Sequence, residues 1–518
     1  MFAAAILSWP KIRAPRLSLV WPIGAFKFEG WKRRANNDIR IGGNLGCAEK
    51  RISANGPNLS PARMATFNDL AFLIERDAIS GRLRQYVKIC SLYGAGFFYI
   101  PGTDTCIKIG GYVRAEYDIN AKGSFTVIAN GANGTNTRES QNTNDRTRGL
   151  VTFDVRSQTQ FGTLRSYISG GWQTDNGATP TAATAVYRFF VQLAGFTAGY
   201  TSSFFDIYYN PNFSYQTNLL GSDISGSGTV VYGYTAELGS GLSASLALEE
   251  ANDRRTGVIN SSAAGFSATG GFANSYATST IPDIVGNLRV DQAWGSAQVM
   301  GAAHQVTGNY FGATEGTGHP GDRWGYAVGA GVNFNLPMLG KGDILSAQAS
   351  YTSGAIKYVA VNLPTVQLYN GNSAGLGVVS DAVYSGGATP SDLQLTTGWN
   401  VVAGYNHHWN PAWQTSIYGA YTRIEYNGIA AGFLNTVLGA PVGSDPDFSV
   451  WQIGSRTLWN PVQNLDVGVD VIYSHFGTGF GGTSLALAPG NGKPAGTYTL
   501  ASQNSWAGIF RVQRNFWP

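Results

Sequence analysis

The chain has few charged residues and no long apolar run, and both shortages narrow what it can be. Lys, Arg, Asp and Glu together make up 13% of its 518 residues, about half the usual share in soluble proteins. No stretch of about 18 consecutive apolar residues occurs, so we expect no helical membrane span. The mean hydropathy of −0.09 says little about strands whose two faces differ, because apolar and polar residues average out.

Cysteine and histidine are also scarce, which limits metal and catalytic chemistry. The three Cys and five His form no cluster with metal-ligand spacing, and the adjacent His407 and His408 would point to opposite faces of a strand. The glycines of residues 325–331 lack the Lys of a phosphate-binding loop, so we interpret them as strand glycines. We therefore expect no metal, no cofactor and no catalytic residues.

Glycine and aromatic residues are abundant instead. The chain holds 68 Gly, 26 Tyr, 26 Phe and 13 Trp. Low charge combined with many aromatic residues does not suit a disordered chain. This composition favours a β-protein with many tight turns.

Residues 1–84 differ from the rest of the chain. They hold 14 Lys+Arg against 6 Asp+Glu, whereas the remainder holds 21 against 25. The cations are scattered without a cluster or a helical face, so we expect no nucleic-acid binding. The opening lacks the basic region of a secretory signal, and Pro10 and Pro15 interrupt its apolar run. We interpret residues 1–84 as a non-barrel segment that a wrong start codon or an upstream frame shift would produce; a genuine extension is the alternative.

Residues 85–518 show the alternation that predicts strands. Polar and apolar residues alternate over residues 108–117 and again over residues 150–158, which is typical of a strand with two different faces. Over residues 187–193 the same pattern predicts Tyr187 on the apolar face and Arg188 on the polar face.

Short and long connections alternate along this part of the chain. Seven short turns and eight long loops join sixteen predicted strands. Short periplasmic turns, long outer loops and an even strand number are typical of bacterial outer-membrane barrels, and long loops are uncommon in compact soluble domains. We predict an all-β fold, a transmembrane antiparallel β-barrel of about 16 strands. Its last strand, residues 502–516, would close against residues 107–118 and leave no edge.

Aromatic residues near the predicted strand ends support a membrane barrel. Amphipathic rings favour the interface between lipid and water. Tryptophans at such positions are Trp399, Trp409, Trp413, Trp451, Trp459, Trp506 and Trp517.

A resemblance to a known family follows from two segments. Residues 86–116, YVKICSLYGAGFFYIPGTDTCIKIGGYVRAE, and the carboxyl end RVQRNFWP are similar to alphaproteobacterial general porins of the rhizobial and Brucella type. The resemblance covers residues 85–518, but residues 1–84 match neither the signal peptide nor the lead-in of that family. It implies a sixteen-stranded homotrimer in the outer membrane, in contact with lipid and lipopolysaccharide, that lets small hydrophilic solutes diffuse. It also implies a third loop that folds inward and narrows the pore.

Two of the cysteines are predicted to form a disulfide. Cys90 and Cys106 bracket Pro101-Gly102, a turn that can bring them together, and the periplasm favours disulfides. Two buried thiols are the alternative, and Cys47 would stay unpaired.

The candidate site is a charged pore constriction. Strand parity directs four arginines of the first four neighbouring strands into the lumen, where they would form a basic wall: Arg114, Arg156, Arg165 and Arg188. The third long loop carries Asp206 and Asp223. If it folds inward, its carboxylates would face the wall and create a transverse field that sets ion preference. The alternative for each arginine is a solvated residue with local pairing only.

These observations predict a passive, water-filled channel for small hydrophilic solutes and ions, and no enzyme. The main alternative is a substrate-specific channel for anions, phosphate or sugar, which would need lumen cations at several depths or a ladder of aromatic side chains. A barrel esterase or protease would need a Ser–His or Asp–His arrangement at the rim. A purely structural barrel of this size would need a plug.

Overall fold

The computed structural model describes most of the chain beyond its first 87 residues, namely residues 88–120, 143–175, 184–216, 219–222, 228–263, 266–267, 271–361, 363, 366–370, 372–387, 389–487 and 494–516. The predictions for residues 1–84, Cys47, Asp223 and Trp517 lie outside the described residues. No helix within the described ranges is long and apolar enough to cross a membrane.

Strands dominate the described residues. In chain order they are β1 (Phe98–Tyr99), β2 (Cys106–Ile119), β3 (Thr143–Thr159), β4 (Gly162–Asp175), β5 (Thr184–Leu193), β6 (Phe196–Thr201), β7 (Thr229–Gly239), β8 (Leu242–Glu249), β9 (Val258–Asn260), β10 (Phe266–Ser267), β11 (Gly271–Phe272), β12 (Asp283–Gln292), β13 (Gly295–Val306), β14 (Arg323–Asn335), β15 (Ile344–Ser353), β16 (Val366–Asn370), β17 (Ser373–Gly377), β18 (Ala382–Tyr384), β19 (Gln394–Leu395), β20 (Thr397–Asn410), β21 (Trp413–Glu425), β22 (Phe448–Val462), β23 (Leu465–Gly477), β24 (Ser484–Leu487), β25 (Gly496–Leu500) and β26 (Gln503–Asn515). The helical elements are α1 (Gly428–Leu438) and the short 3-10 turns Ser91–Tyr93, Asn210–Asn212, Ala251–Arg254, Glu315–Thr317 and Ile356–Tyr358.

Sixteen of these strands close into one antiparallel barrel. They are β2–β8, β12–β15, β20–β23 and β26, each paired with the next, and β26 returns to β2. In that last pairing residues 508–515 lie opposite residues 112–119. Closure leaves no edge, so the backbone groups of the sheet pair with each other inside the membrane. The predicted fold, its alternating short and long connections and the predicted partner of the last strand are confirmed.

The two faces of the barrel wall differ as expected for a barrel in lipid. On β2 the outward side chains of Ile109, Val113 and Tyr117 are exposed, whereas the inward Glu116 and Asp118 are buried. An apolar outside and a polar inside are the reverse of a soluble barrel. The alternation in the sequence therefore describes lipid and lumen, and not a core and bulk solvent.

Exposed tryptophans lie at both ends of the barrel wall. Trp413 stacks on Trp459 with ring centroids 5.7 Å apart, beside the short turns. At the loop end, Trp506 contacts Tyr473 at 4.8 Å. Two aromatic belts at opposite ends mark the two interfaces with water.

Two of the short turns show why a glycine follows a small residue there. Ala194 and Gly195 have φ angles of 50° and 88°, and Ser240 and Gly241 have 52° and 76°. Two successive positive φ angles are the requirement of a type I′ hairpin turn, and glycine meets it without strain.

The prediction of Tyr187 on the apolar face is wrong. The pairing of β4 with β5 shifts between Ser169 and Gly170, and such a bulge re-aims a side chain. The Tyr187 ring lies 5.2 Å from the guanidinium carbon of the lumen-facing Arg148. Alternation assumes a constant register, so it does not reveal a bulge.

The loop between β6 and β7, residues 202–228 and here called L3, folds into the barrel. The Gln348 side-chain oxygen on β15 accepts a hydrogen bond from the Ile207 backbone N–H at 3.0 Å. Further along the loop, the Asp470 carboxylate on β23 accepts one from the Tyr215 backbone N–H at 2.5 Å. The described part of L3 thus lies along the inner wall from β12, whose Asn287 amide donates to the Phe204 carbonyl, to β26, whose Arg511 donates to the Tyr215 carbonyl. This position agrees with the inward loop that the family resemblance implied.

Glycines in the wall make room for L3. A Cβ atom at Gly404 on β20 would lie 2.5 Å from the Phe213 ring, and one at Gly331 on β14 would overlap Ile207. Any other residue at these positions would push the loop away from the wall. Among the glycines of residues 325–331, Gly331 is therefore explained by its close contact with Ile207 of L3.

An arginine on the lipid face should destabilise the barrel far more than one on the lumen face. Ile168 lies near the middle of β4 and is 53% exposed, and Tyr167 beside it faces the lumen. We expect Ile168→Arg to lower the free energy of unfolding by about 2–4 kcal/mol, because a cation at the membrane midplane lacks water. Tyr167→Arg should cost less than half as much. Urea titration of refolding into lipid vesicles measures both, and equal losses would contradict the assignment of the faces.

Removing the Gln348 amide should loosen L3 without opening the barrel. Gln348→Leu keeps a similar volume but leaves two backbone N–H groups of L3, at Ile207 and Tyr208, without their acceptor. Such a loss costs about 1–3 kcal/mol per buried group. We expect noisier single-channel currents with an unchanged heat-modifiable gel band. Gln414→Leu is the control, since the Gln414 side chain bonds Asn406 and not L3; equal noise in both variants would argue against the anchoring role.

Candidate functional site

Lumen-facing charges concentrate on five neighbouring strands, β26 and β2–β5, here called the basic arc. Alternation with the exposed lipid-facing residues assigns these side chains to the lumen. The cations among the described residues of the arc are Lys108, Arg114, Arg146, Arg148, Arg156, Arg165, Arg188 and Arg511. The carboxylates there are Glu116, Asp118, Asp154 and Asp175. Cations therefore outnumber carboxylates by eight to four, and the arc is positive.

The outer part of the basic arc is a network around Glu116. Arg114 lies directly opposite Arg148 across β2 and β3. The Glu116 carboxylate accepts from Arg114 at 3.3 Å and also pairs with Arg511 on the closing strand. One carboxylate shared by two cations holds both guanidinium groups in place and leaves positive charge in excess.

The part of the basic arc near the short turns repeats this arrangement. Arg156 on β3 lies opposite Arg165 on β4. Both donate to Asp154, with N–O distances of 2.7 and 3.0 Å. Here too two cations share one acid.

The four predicted wall arginines therefore lie at different depths. Eight residues separate Arg148 from Arg156 on β3, which is about 27 Å along a strand. The structure brings Arg156 and Arg165 together near the short turns and places Arg114 towards the outer loops. Arg188 lies between these levels and donates to the Ser202 hydroxyl at 3.0 Å.

Aromatic rings accompany the arginines along the basic arc. The guanidinium carbon lies 4.3 Å from the Tyr112 ring centroid for Arg114 and 5.2 Å from the Tyr167 ring for Arg165. For Arg511 the ring is that of Tyr215 in L3, at 3.8 Å. Stacking on a ring face fixes a planar cation while its edge stays available for hydrogen bonds.

Arg146 and Arg148 also belong to this wall, although the sequence pattern did not predict them there. The predicted alternation began at residue 150, whereas β3 begins at Thr143. Extending the parity of Asp154 and Arg156 backwards along the strand would have placed both residues in the lumen.

The predicted acidic loop residue Asp206 is paired within the outer loops. Its carboxylate receives the Arg254 guanidinium at 3.1 Å, and both side chains are buried. The Ser222 hydroxyl also donates to it. The charge of Asp206 is therefore balanced by Arg254 and does not face the arginines of the basic arc unpaired.

The rest of the barrel wall, the eleven strands β6–β8, β12–β15 and β20–β23, carries more acidic than basic residues on its lumen face. Its lumen-facing carboxylates among the described residues are Glu237, Glu249, Asp283, Asp291, Asp466 and Asp470, and its cations are Arg289, Arg323 and Arg456. L3 lies on this wall, where the Ser214 hydroxyl donates to Asp470 at 2.9 Å. The lumen face is therefore more positive at the basic arc than along the rest of the wall, and such a charge difference biases which ions pass.

The histidine pair at the short-turn end contacts one shared carboxylate. The Asp343 carboxylate lies 2.7 Å from Nδ1 of His407 and accepts the backbone N–H of His408 at 2.8 Å. Within the part of the chain that the structure describes, no group of three or more His, Cys, Asp or Glu side chains could hold a metal ion.

Sequence comparison identifies relatives of the chain. The model of the porin subfamily matches residues 83–509. Porin Omp2b of Brucella canis is 28% identical over 264 residues, which are 49% of this chain and 62% of that protein. Porin Omp2b of Brucella abortus is 29% identical over 265 residues, with the same coverage. The chain thus spans less than two thirds of the length of these curated relatives.

Structural comparison gives the same fold. The outer membrane channel DcaP of Acinetobacter baumannii superposes with a TM-score of 0.53 at 12% identity, covering 81% of this chain and 99% of that one. At this identity the likeness concerns the fold alone. The family model, however, covers most of the chain and confirms the family expected from residues 86–116. The chain belongs to the porin subfamily, and its own closed sixteen-stranded barrel resides in the outer membrane.

Proposed function

We propose that the protein forms a water-filled channel through which small hydrophilic solutes and ions diffuse passively. The observation that supports this most directly is the inward position of L3 inside a closed barrel whose basic arc carries an excess of positive charge. A sixteen-stranded barrel is too wide for side chains alone to fill. An inward loop narrows such a lumen, and the charges of the basic arc act on whatever passes.

A preference for anions is the second candidate. Cations of the basic arc lie at several depths, from Arg146 and Arg511 through Arg188 to Arg156 and Arg165, so an anion would meet positive charge along the whole path. We do not assign an enzymatic role. A homotrimer in contact with membrane lipid and lipopolysaccharide is part of the proposal, in line with the family.

Planar-bilayer recording of the refolded chain tests the channel. We expect stepwise insertions with a linear current–voltage relation, and steps in groups of three if the protein is a trimer. Small conductance that a single solute blocks would instead favour a substrate-specific channel. No conductance from a heat-modifiable barrel would refute the proposal.

The basic arc should set the ion preference. The double substitution Arg114→Gln and Arg148→Gln removes two positive charges at one level and should lower the anion-to-cation permeability ratio by about two- to fivefold. Reversal potentials in a salt gradient measure this ratio. Arg423→Gln is the control, because Arg423 pairs with Glu425 at the outer rim on the lipid side of β21. An unchanged reversal potential in the double variant would show that the arc does not select ions.

A further inference from the structure

The segment before the first barrel strand forms a small hairpin at the short-turn end. Residues 88–105, here called the periplasmic hairpin, fold back so that the Cys90 backbone N–H donates to the Phe97 carbonyl at 2.9 Å. The Tyr99 backbone N–H donates to the Lys88 carbonyl at 2.8 Å. Short turns mark the periplasmic end of such barrels, so the hairpin lies at the periplasmic mouth.

The periplasmic hairpin occupies a gap at the seam of the barrel. β26 pairs with β2 only from Tyr112 onwards, which leaves the first residues of β2 without a partner on that side. β1 takes this place, with Phe98 opposite Ile107 and Tyr99 opposite Cys106. This pairing is two residues long, too short to hold a hairpin by itself.

The hairpin covers lumen-facing cations of the basic arc. The Arg156 guanidinium carbon lies 4.9 Å from the Phe97 ring centroid and 5.7 Å from that of Tyr93. The Lys108 ammonium donates to the Ala95 carbonyl at 3.4 Å. Because Arg156 and Lys108 point into the lumen, groups that contact them project over the lumen from the rim.

A disulfide fixes the hairpin in this position. It joins Cys90 to Cys106, the first residue of β2, and both cysteines are buried together with Phe97. A cross-link between the hairpin and the barrel wall keeps the rings over Arg156 where the short strand pairing alone would not.

We propose that the periplasmic hairpin forms a second constriction, separate from L3, and that the Cys90–Cys106 bond holds it over Lys108 and Arg156. This inference rests on the proposed channel function. The hairpin then limits both the width of the periplasmic mouth and the positive charge that an ion meets there. Releasing it widens the mouth and uncovers the two cations.

Single-channel recording of the double variant Cys90→Ser and Cys106→Ser tests the inference. We expect conductance to rise about 1.5-fold and the reversal potential to shift towards anions, since the mouth widens and Arg156 and Lys108 lose their cover. Unchanged conductance and an unchanged reversal potential in a heat-modifiable variant would overturn the second constriction.

A variant with the disulfide intact covers the case in which the cysteine variant does not fold. Phe97→Ala removes the ring over Arg156 and should also raise conductance and anion preference. Phe161→Ala is the matched control, because Phe161 is an exposed aromatic residue of a short turn at the same end. Equal currents in Phe97→Ala, Phe161→Ala and the unaltered protein would overturn the inference while leaving the channel function established; silence of the unaltered protein would refute both.

Discussion

Backbone hydrogen bonding in an apolar solvent is the constraint on which the rest of this structure depends. Inside a membrane an unpaired backbone N–H or C=O group finds no water to form a hydrogen bond with. A sheet that crosses the membrane must therefore leave no unpaired edge. The chain meets this demand by returning β26 to β2. Once the sheet is closed, strand alternation assigns each side chain to lipid or lumen, and the charged residues have only the inside and the rims to occupy. The location of the functional groups thus follows from the closure of the backbone.

Closure with sixteen strands creates a second problem, a lumen too wide for its own side chains to fill. L3 fills part of this lumen from one side. It lies against a wall that carries glycines at the points of closest approach, such as Gly404, and polar anchors such as Gln348 and Asp470. The basic arc carries arginines that are held by carboxylates such as Glu116 and Asp154 or by aromatic rings such as Tyr112. The pore is therefore asymmetric in shape and in charge, because L3 packs mainly against β12–β15 and β20–β23 whereas the cations concentrate on β26 and β2–β5.

The sequence predicted the barrel well because two independent periodicities agreed. Alternation within strands and the alternation of short turns with long loops both require the same architecture. It predicted the site less well. Bulges shift parity, as Tyr187 shows, and strands that extend into apparent loops hide residues such as Arg148. The pairing of Asp206 with Arg254 joins two successive outer loops across a β-hairpin, and no local pattern indicates such a contact. Depth is also invisible to parity, which assigned Arg114 and Arg156 to one wall although a long stretch of β3 separates their levels.

The ion pair between Arg254 and Asp206 connects the outer loop after β8 to L3, the loop inside the barrel. Arg254 belongs to the loop that follows β8, an outer loop, and surface loops tolerate more sequence change than the strands they connect. Yet replacing Arg254 would leave the buried carboxylate of Asp206 without its cation, which is strongly destabilising. The sequence of that outer loop is therefore constrained at position 254, because the arginine there must pair with Asp206 of L3. The remaining positions of the loop do not carry this constraint.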